Sequence, residues 1–355
     1  MAVFIMLLIN FKGTLSLGGA GPEWMVALID FLNRRAAVIL VMVSGVGLSL
    51  FFASPGSLPG RRKTLTDRAA FLFICGYVLS RIWSGDILHF YAVFIATGIL
   101  LAPRSGRFLI LTALILWLVS FIQFFEIFDL LRSENQTGLF AAQITDILFS
   151  GYYPFFPWAS LFILGMLLGR QDFSVRRFRQ KTAAAGALLF ISSELAARWL
   201  DSLSLAVAGA RGQYPEWLEQ IILVLGEFFS MDLSQPTPVS VISGMGFAIL
   251  VIMAGLSLSG RSRTKITRAL VISGRSSLTL YIGHILFLTL LLQVFPGTRN
   301  LIPVMSGSVL FFMAYVRLMS AWLKTRRNGP LETLMRRFSL GRIFSKSRRP
   351  VVNQI

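Results

Sequence analysis

The chain has 355 residues, 55% hydrophobic and only 14% charged, with one cysteine, Cys75, and a formal net charge of +18. A mean hydropathy of +0.70 is more apolar than a water-soluble surface of this length accommodates, so composition dictates an integral membrane protein. One cysteine excludes an internal disulfide framework and a cysteine-based metal centre, and two histidines in separate apolar runs exclude a histidine-rich metal site.

A helix that crosses the hydrocarbon needs roughly 20 mostly apolar residues, fewer where protein or water fills one end. In chain order the runs that approach this are Met1–Leu17, Ala36–Ala53, Ala69–Trp83, Ile87–Ala102, Phe108–Phe128, Ile144–Gly169, Thr182–Leu200, Val239–Ser259, Ala269–Phe295 and Leu301–Leu323. They predict an all-α polytopic transmembrane bundle of about ten spans. Residues 1–323 form its membrane domain, and 324–355 a cytoplasmic amphipathic helix and basic tail. The first run lacks a basic n-region and contains Asn10 and Lys12, so it reads as a retained span.

Two amphipathic stretches flank the spans. "PEWMVALIDFLNRR" is apolar at Trp24, Leu28, Phe31 and Leu32, the pattern of a helix lying on the outer surface or packed on the bundle. "GPLETLMRRFSLGR" sets Leu331, Leu334, Met335 and Phe338 on one face against Arg336, Arg337 and Arg342, an inner-surface helix with Pro330 in its first turn.

The basic residues collect in "GRRKTLTDR" (60–68), "RSGR" (104–107), "RQDFSVRRFRQK" (170–181), "GRSRTKITR" (260–268) and the tail from Lys324. Strict alternation of spans from a cytoplasmic amino terminus puts all of them on the inner side, as the positive-inside rule requires, with both termini cytoplasmic. Only Arg34 and Arg35 run against it. The charge therefore reports topology and attraction to a lipid surface, not nucleic acid.

Polar groups at membrane depth are expensive and face the bundle interior with partners. On the outer half these are Asn10, Lys12, Asp86, His89, Glu126, Asp146, Glu194, Arg198 and His284. In "SGDILHFYAVF" Asp86 and His89 stand three apart, on one helical face, as a general base with its orienting acid or as a helix cap beside a packed histidine. In "GRSSLTLYIGHILF" the residues Ser277, Tyr281 and His284 recur at helical spacing, lining a cavity or bonding helix to helix. "GYYPFFPWASLFILGMLLGR" sets Tyr152, Tyr153 and Trp158 beside Pro154 and Pro157, which interrupt a helix where freed backbone groups must find partners. Glu194 and Arg198, four apart, are expected to form an ion pair. Walker, dinucleotide-binding and nucleophile-elbow motifs are missing from the sequence.

"FIMLLINFKG", "SGDILHFYAVF", "YYPFFPWASLFILGMLLGR", "PTPVSVISGMG" and "GRSSLTLYIGHILF" resemble, in this order, bacterial multi-span proteins related to the catalytic domain of heparan-alpha-glucosaminide N-acetyltransferase. A more distant likeness is to the acyltransferase-3 membrane proteins. The resemblance implies transfer of an acetyl group from cytoplasmic acetyl-CoA to a sugar hydroxyl or amine on the far side, without a metal. It places Asn10 at an asparagine associated with the catalytic centre. The family's catalytic histidine precedes a tryptophan in the first outer loop; aligned on Trp24 that position falls at or near Gly21, and this loop has no histidine. Either His89, oriented by Asp86, has taken the role of base, or the scaffold has lost the chemistry.

On this reading His284, Tyr281, Ser277, Trp158 and Tyr153 bind substrate, and Arg61, Arg62 and Arg104 attract the donor's phosphates. The expected partners are the bilayer of a bacterial inner membrane, an acyl-CoA, an envelope saccharide and, as an open alternative, a second copy of the chain. A transporter or flippase, or a non-catalytic partner subunit, remains the alternative class.

Overall fold

A computed structural model gives the fold, and the residues it describes are 1–33, 35–122, 147–148, 152–209, 214–229, 231, 237–259 and 264–339. Arg34, Glu126, Asp146, the connection 128–143 and the tail beyond Ser339 lie outside them. The elements in order are α1 (Ala2–Leu15), β1 (Ser16–Ala20), α2 (Glu23–Leu32), α3 (Arg35–Ala53), α4 (Leu58–Ser80), α5 (Leu88–Leu101), α6 (Gly106–Ile122) and α7 (Phe155–Gly169). Then follow α8 (Arg176–Gly209), α9 (Glu216–Phe228), α10 (Pro238–Ser259), α11 (Lys265–Arg275), α12 (Ser277–Val294), β2 (Thr298–Asn300), α13 (Leu301–Thr325) and α14 (Pro330–Ser339).

The chain is a multi-span, helical membrane protein. Among the described residues, five stretches are long and apolar enough to cross a bilayer: 23–53, 176–209, 238–258, 277–294 and 301–325. The helices at 2–15, 88–101, 106–120 and 155–169 are apolar but shorter, as suits segments that face protein instead of lipid at one end.

Several expected boundaries change for local reasons. The run Ala269–Phe295 is two helices, broken at Ser276, whose φ of −127° and ψ of 35° leave the helical region. The break is held by side chains: Tyr315 Oη lies 2.7 Å from both the carbonyl and hydroxyl oxygens of Ser276. Glu332 of α14 accepts from the N–H groups of Leu278 and Thr279 at 2.7 and 3.1 Å, capping the start of α12. The run Thr182–Leu200 extends to 34 residues as α8, because no proline intervenes; at 1.5 Å per residue it is about 50 Å long, well beyond the hydrocarbon thickness. α4 begins early, at Leu58, where Ser57 caps Gly60 N–H and Pro59 occupies the first turn.

Helices α3 and α7 pack through glycine. A side chain on Gly45 would enter the backbone of Phe162 and Met166, and one on Gly165 would enter that of Met42; small residues here let the two backbones approach. Around this contact sit Met42, Phe162, Ile163 and Met166, at most 1% exposed.

The loops sort into two ends. At one end β1 pairs in parallel with β2, Ser16 opposite Thr298 and Ala20 opposite Asn300, a two-stranded addition to the all-α reading. At the other, Arg170 donates to the carbonyls of Arg104 and Ala102, and Arg275 to that of Arg327 at 2.5 Å. That second end holds the described basic residues of these connections.

The two amphipathic stretches diverge. α2 leaves Trp24 and Leu28 67% and 47% exposed, as a surface helix does. α14 instead packs into the bundle: Phe338 meets Phe71 of α4 with ring centroids 5.7 Å apart, although Leu334 stays exposed. Arg35, expected to violate the charge rule, is internal. Its guanidinium donates to Glu194 at 2.6 Å, Ser243 donates to the same carboxylate oxygen at 2.6 Å, and the ring of Phe31 lies 4.2 Å from the cation. Glu194 thus pairs across helices with Arg35, and not with Arg198 one turn along its own helix.

Candidate functional site

The site begins at Asp86, which is fully buried in the turn between α4 and α5. Its Oδ2 accepts from Leu88 N–H at 3.0 Å, His89 N–H at 3.4 Å and His89 Nδ1 at 2.9 Å. Tyr281 Oη donates to its Oδ1 at 3.0 Å and accepts Ile87 N–H at 3.1 Å. One carboxylate therefore both caps the start of α5 and pairs with His89, a geometry common to the two sequence readings of this motif.

The turn reaches this depth because α4 carries Gly76, where a Cβ would stand 2.7 Å from Asp86 Oδ2. Gly76 lies about one turn inside the end of α4, so Asp86 is anchored below that end and not at its mouth. In the neutral ring, donating the Nδ1 hydrogen to Asp86 leaves Nε2 as the acceptor nitrogen of His89. Its side chain is 17% exposed, and its ring lies against Phe90 at 4.0 Å between centroids.

His284 is fully buried on α12. Its Nδ1 faces the Leu280 carbonyl at 3.0 Å and its Nε2 faces Asn10 Nδ2 at 2.9 Å. A carbonyl takes only a donor, so Nδ1 carries the hydrogen and Nε2 accepts from Asn10. Asn10 thus ties α1 to α12, and Tyr281 ties α12 to the turn before α5.

Asn10 also lines a cavity of about 830 Å³, within the size range of small-molecule sites. Lys12, Asp30, Asn33, Ser84 and Tyr153 give it polar groups, and Trp83 and Tyr152 an aromatic flank. Lys12 and Asp30 form an ion pair there. Of the expected site residues, Asn10 and Tyr153 line this cavity. His89, Asp86, His284, Tyr281, Ser277 and Trp158 do not; Ile82–Gly85, which do, lead directly into Asp86. Tyr153 connects the layers, its ring 5.9 Å from Phe90 and 5.1 Å from Trp158.

Trp158 is 1% exposed, and its indole N–H has no partner among the described residues. Ser277 begins α12 at the opposite, basic end. Arg61 and Arg62 lie in the first turns of α4, with Arg61 donating to the Ser54 carbonyl, and Arg104 in the turn after α5; all three are remote from the cavity. Among the described residues no group of His, Cys, Asp and Glu is arranged to hold a metal.

Sequence reasoning passed over Asp30, Trp83 and Ser84. Asp30 was legible as the single acid on the inner part of the α2 amphipathic pattern, one helix from Lys12; Trp83 and Ser84 carried no signal beyond their place in a turn.

The model of the family described as heparan-alpha-glucosaminide N-acetyltransferase, catalytic, matches residues 1–200. That is more than half of the chain. The chain belongs to this family. A second model, described as a protein of unknown function, DUF418, matches residues 168–342. No curated protein and no solved structure matches the chain. The bonds Asn10–His284 and Asp86–Tyr281 each join the first matched region to the second, so the site is built from both halves of this acetyltransferase-family chain.

Proposed function

We propose that this chain is a membrane acetyltransferase that passes acetyl from acetyl-CoA to an amine or hydroxyl of a saccharide held in the cavity. Asn10 carries the reading: the position tied by family resemblance to the catalytic centre lines the cavity and bonds His284. The acceptor attacks the thioester carbonyl carbon, a C–N or C–O bond forms, and the C–S bond breaks. The acceptor's proton passes to His89 Nε2 and then to the departing thiolate, leaving CoA as the thiol. Asp86 fixes the histidine tautomer and stabilises the imidazolium; Tyr281 holds Asp86. Asn10 donates toward the developing oxyanion, and Tyr153, backed by the buried ring of Trp158, forms the wall against the sugar, with Ser277 and His284 on the path through α12.

The basic end faces the cytoplasm of a bacterial inner membrane in this proposal, so Arg61, Arg62 and Arg104 meet the donor phosphates there. His89 below the cavity is then the meeting point of a donor from the basic end and an acceptor from the other.

One observation favours a second assignment of the base. The lone pair of His284 Nε2 is a single hydrogen bond from a cavity-lining side chain, whereas His89 does not line the cavity. Transfer of labelled acetyl to glucosamine by the reconstituted protein separates the two. His89→Ala is expected to lose about 100-fold or more, the lower end of general base contributions, while His284→Ala loses less. The reverse order moves the base to His284. Wild-type protein that is folded but neither transfers acetyl nor binds acetyl-CoA returns the scaffold to the transporter or partner-subunit class.

A further inference from the structure

Helices α8 and α10 run antiparallel and touch where neither can bear a side chain. A Cβ on Gly246 would stand 2.7 Å from the Gly186 carbonyl oxygen, and one on Gly186 would stand 2.7 Å from Ile249 Cγ2. From this contact toward the basic end a groove of about 450 Å³ opens between them. Leu250, Met253 and Ala254 form its apolar wall, and Arg176 and Arg179 stand at its mouth.

The charge at that mouth is unbalanced. Arg179 donates to the Phe173 carbonyl at 2.7 Å, and among the described residues neither guanidinium has a carboxylate partner. The chain contains no Asp or Glu from 173 to 193 or from 233 to 331, so neither groove helix offers one nearby. Asp172, the nearest acid in sequence, is turned onto its own loop, accepting Ser174 N–H at 2.8 Å. Loop charges that merely set topology need no groove beneath them; here two arginine forks surmount an apolar slot that opens between two membrane helices. Leu188 and Leu258, 70% and 54% exposed, mark the lipid-facing surface beside it.

We propose that this groove binds an anionic phospholipid, with Arg176 and Arg179 on the phosphate and the slot below taking the start of an acyl chain. Arginine forks match phosphate oxygens bidentately, and basic pockets between membrane helices at the inner face are a recurring site for acidic headgroups. The site is independent of the acetyltransferase reading, sharing no lining residue with the cavity.

The test is native mass spectrometry of the full chain, purified in detergent and titrated with phosphatidylglycerol or phosphatidylcholine. The expected result is one phosphatidylglycerol retained at least tenfold more tightly than phosphatidylcholine. The doubly substituted Arg176→Ala/Arg179→Ala chain should lose that preference. Lys265→Ala/Arg268→Ala, which removes the same charge from exposed positions at the same end, should keep it. Ala254→Trp, which fills the slot and leaves the charge intact, should also weaken retention. Equal retention of the two lipids, or loss in the α11 control equal to that in the groove variant, overturns the proposal. Inorganic phosphate or CoA displacing the lipid at equal concentration overturns the assignment to a lipid headgroup, because a soluble phosphate ester would then be the occupant.

Discussion

Asp86 accepts from a tyrosine, an imidazole and two backbone N–H groups, so its replacement leaves several buried donors unpaired at once. Asp86→Ala is expected to destabilise the protein by about 3 kcal/mol, the upper range for orphaned buried polar groups. Tyr281→Phe removes one donor to Asp86 and the acceptor of Ile87 N–H, and is expected to cost about 2 kcal/mol; thermal unfolding in detergent compares the two. If the pair orients a catalytic His89, Tyr281→Phe also moves the pH profile of acetyl transfer, which a purely structural hydroxyl would leave in place.

The three-residue spacing of Asp86 and His89 was readable in the sequence because it lies within one helix turn. The meeting of Asn10 with His284 was not, because span order says nothing of which spans are neighbours. The Glu194–Arg198 expectation failed for the same reason: a local partner was available, but Arg35, 159 residues away, is the one α3 delivers.

At the scale of elements, glycine determines how close the helices come. Gly165→Leu forces a side chain into the backbone of α3 at Met42. It is expected to destabilise by about 2 kcal/mol, typical of overpacking, and to lower the fraction of monodisperse protein on size exclusion; Gly13→Ala, whose added Cβ meets nothing within 4 Å, should be tolerated. The cap from Glu332 ties α14 to the first turn of α12, the helix of Tyr281 and His284. Glu332→Ala is expected to lose about 1 kcal/mol, the usual value of a helix cap, read as faster exchange of the amides of Leu278 and Thr279.

Hydropathy located most of these helices. It could not locate the break at Ser276, where an apolar run continues and the interruption comes from Tyr315 and Glu332, both distant in sequence. Nor could it find the end of α8, since its apolar and polar residues follow one another without a breaker.

For the whole molecule, charge and contacts agree on two ends. The β1–β2 pair joins connections predicted to share one side, and the Arg170–Arg104 contact joins connections predicted to share the other. A Cys75→Ala chain carrying one new cysteine, at Lys265 or at Thr298, tests which end faces in. In intact cells an impermeant maleimide is expected to label position 298 and leave 265 unlabelled; labelling of 265 alone would invert the topology and with it the direction of acetyl transfer.

The proposed function rests on one claim, that this chain uses acetyl-CoA. The direct measurement is calorimetric titration of acetyl-CoA into the folded, detergent-purified protein, with desulfo-CoA as control. The account predicts saturable binding at one site per chain, retained in His89→Ala because that residue acts on the acceptor's proton and not on the donor's phosphates. No binding to protein shown to be folded would contradict the account.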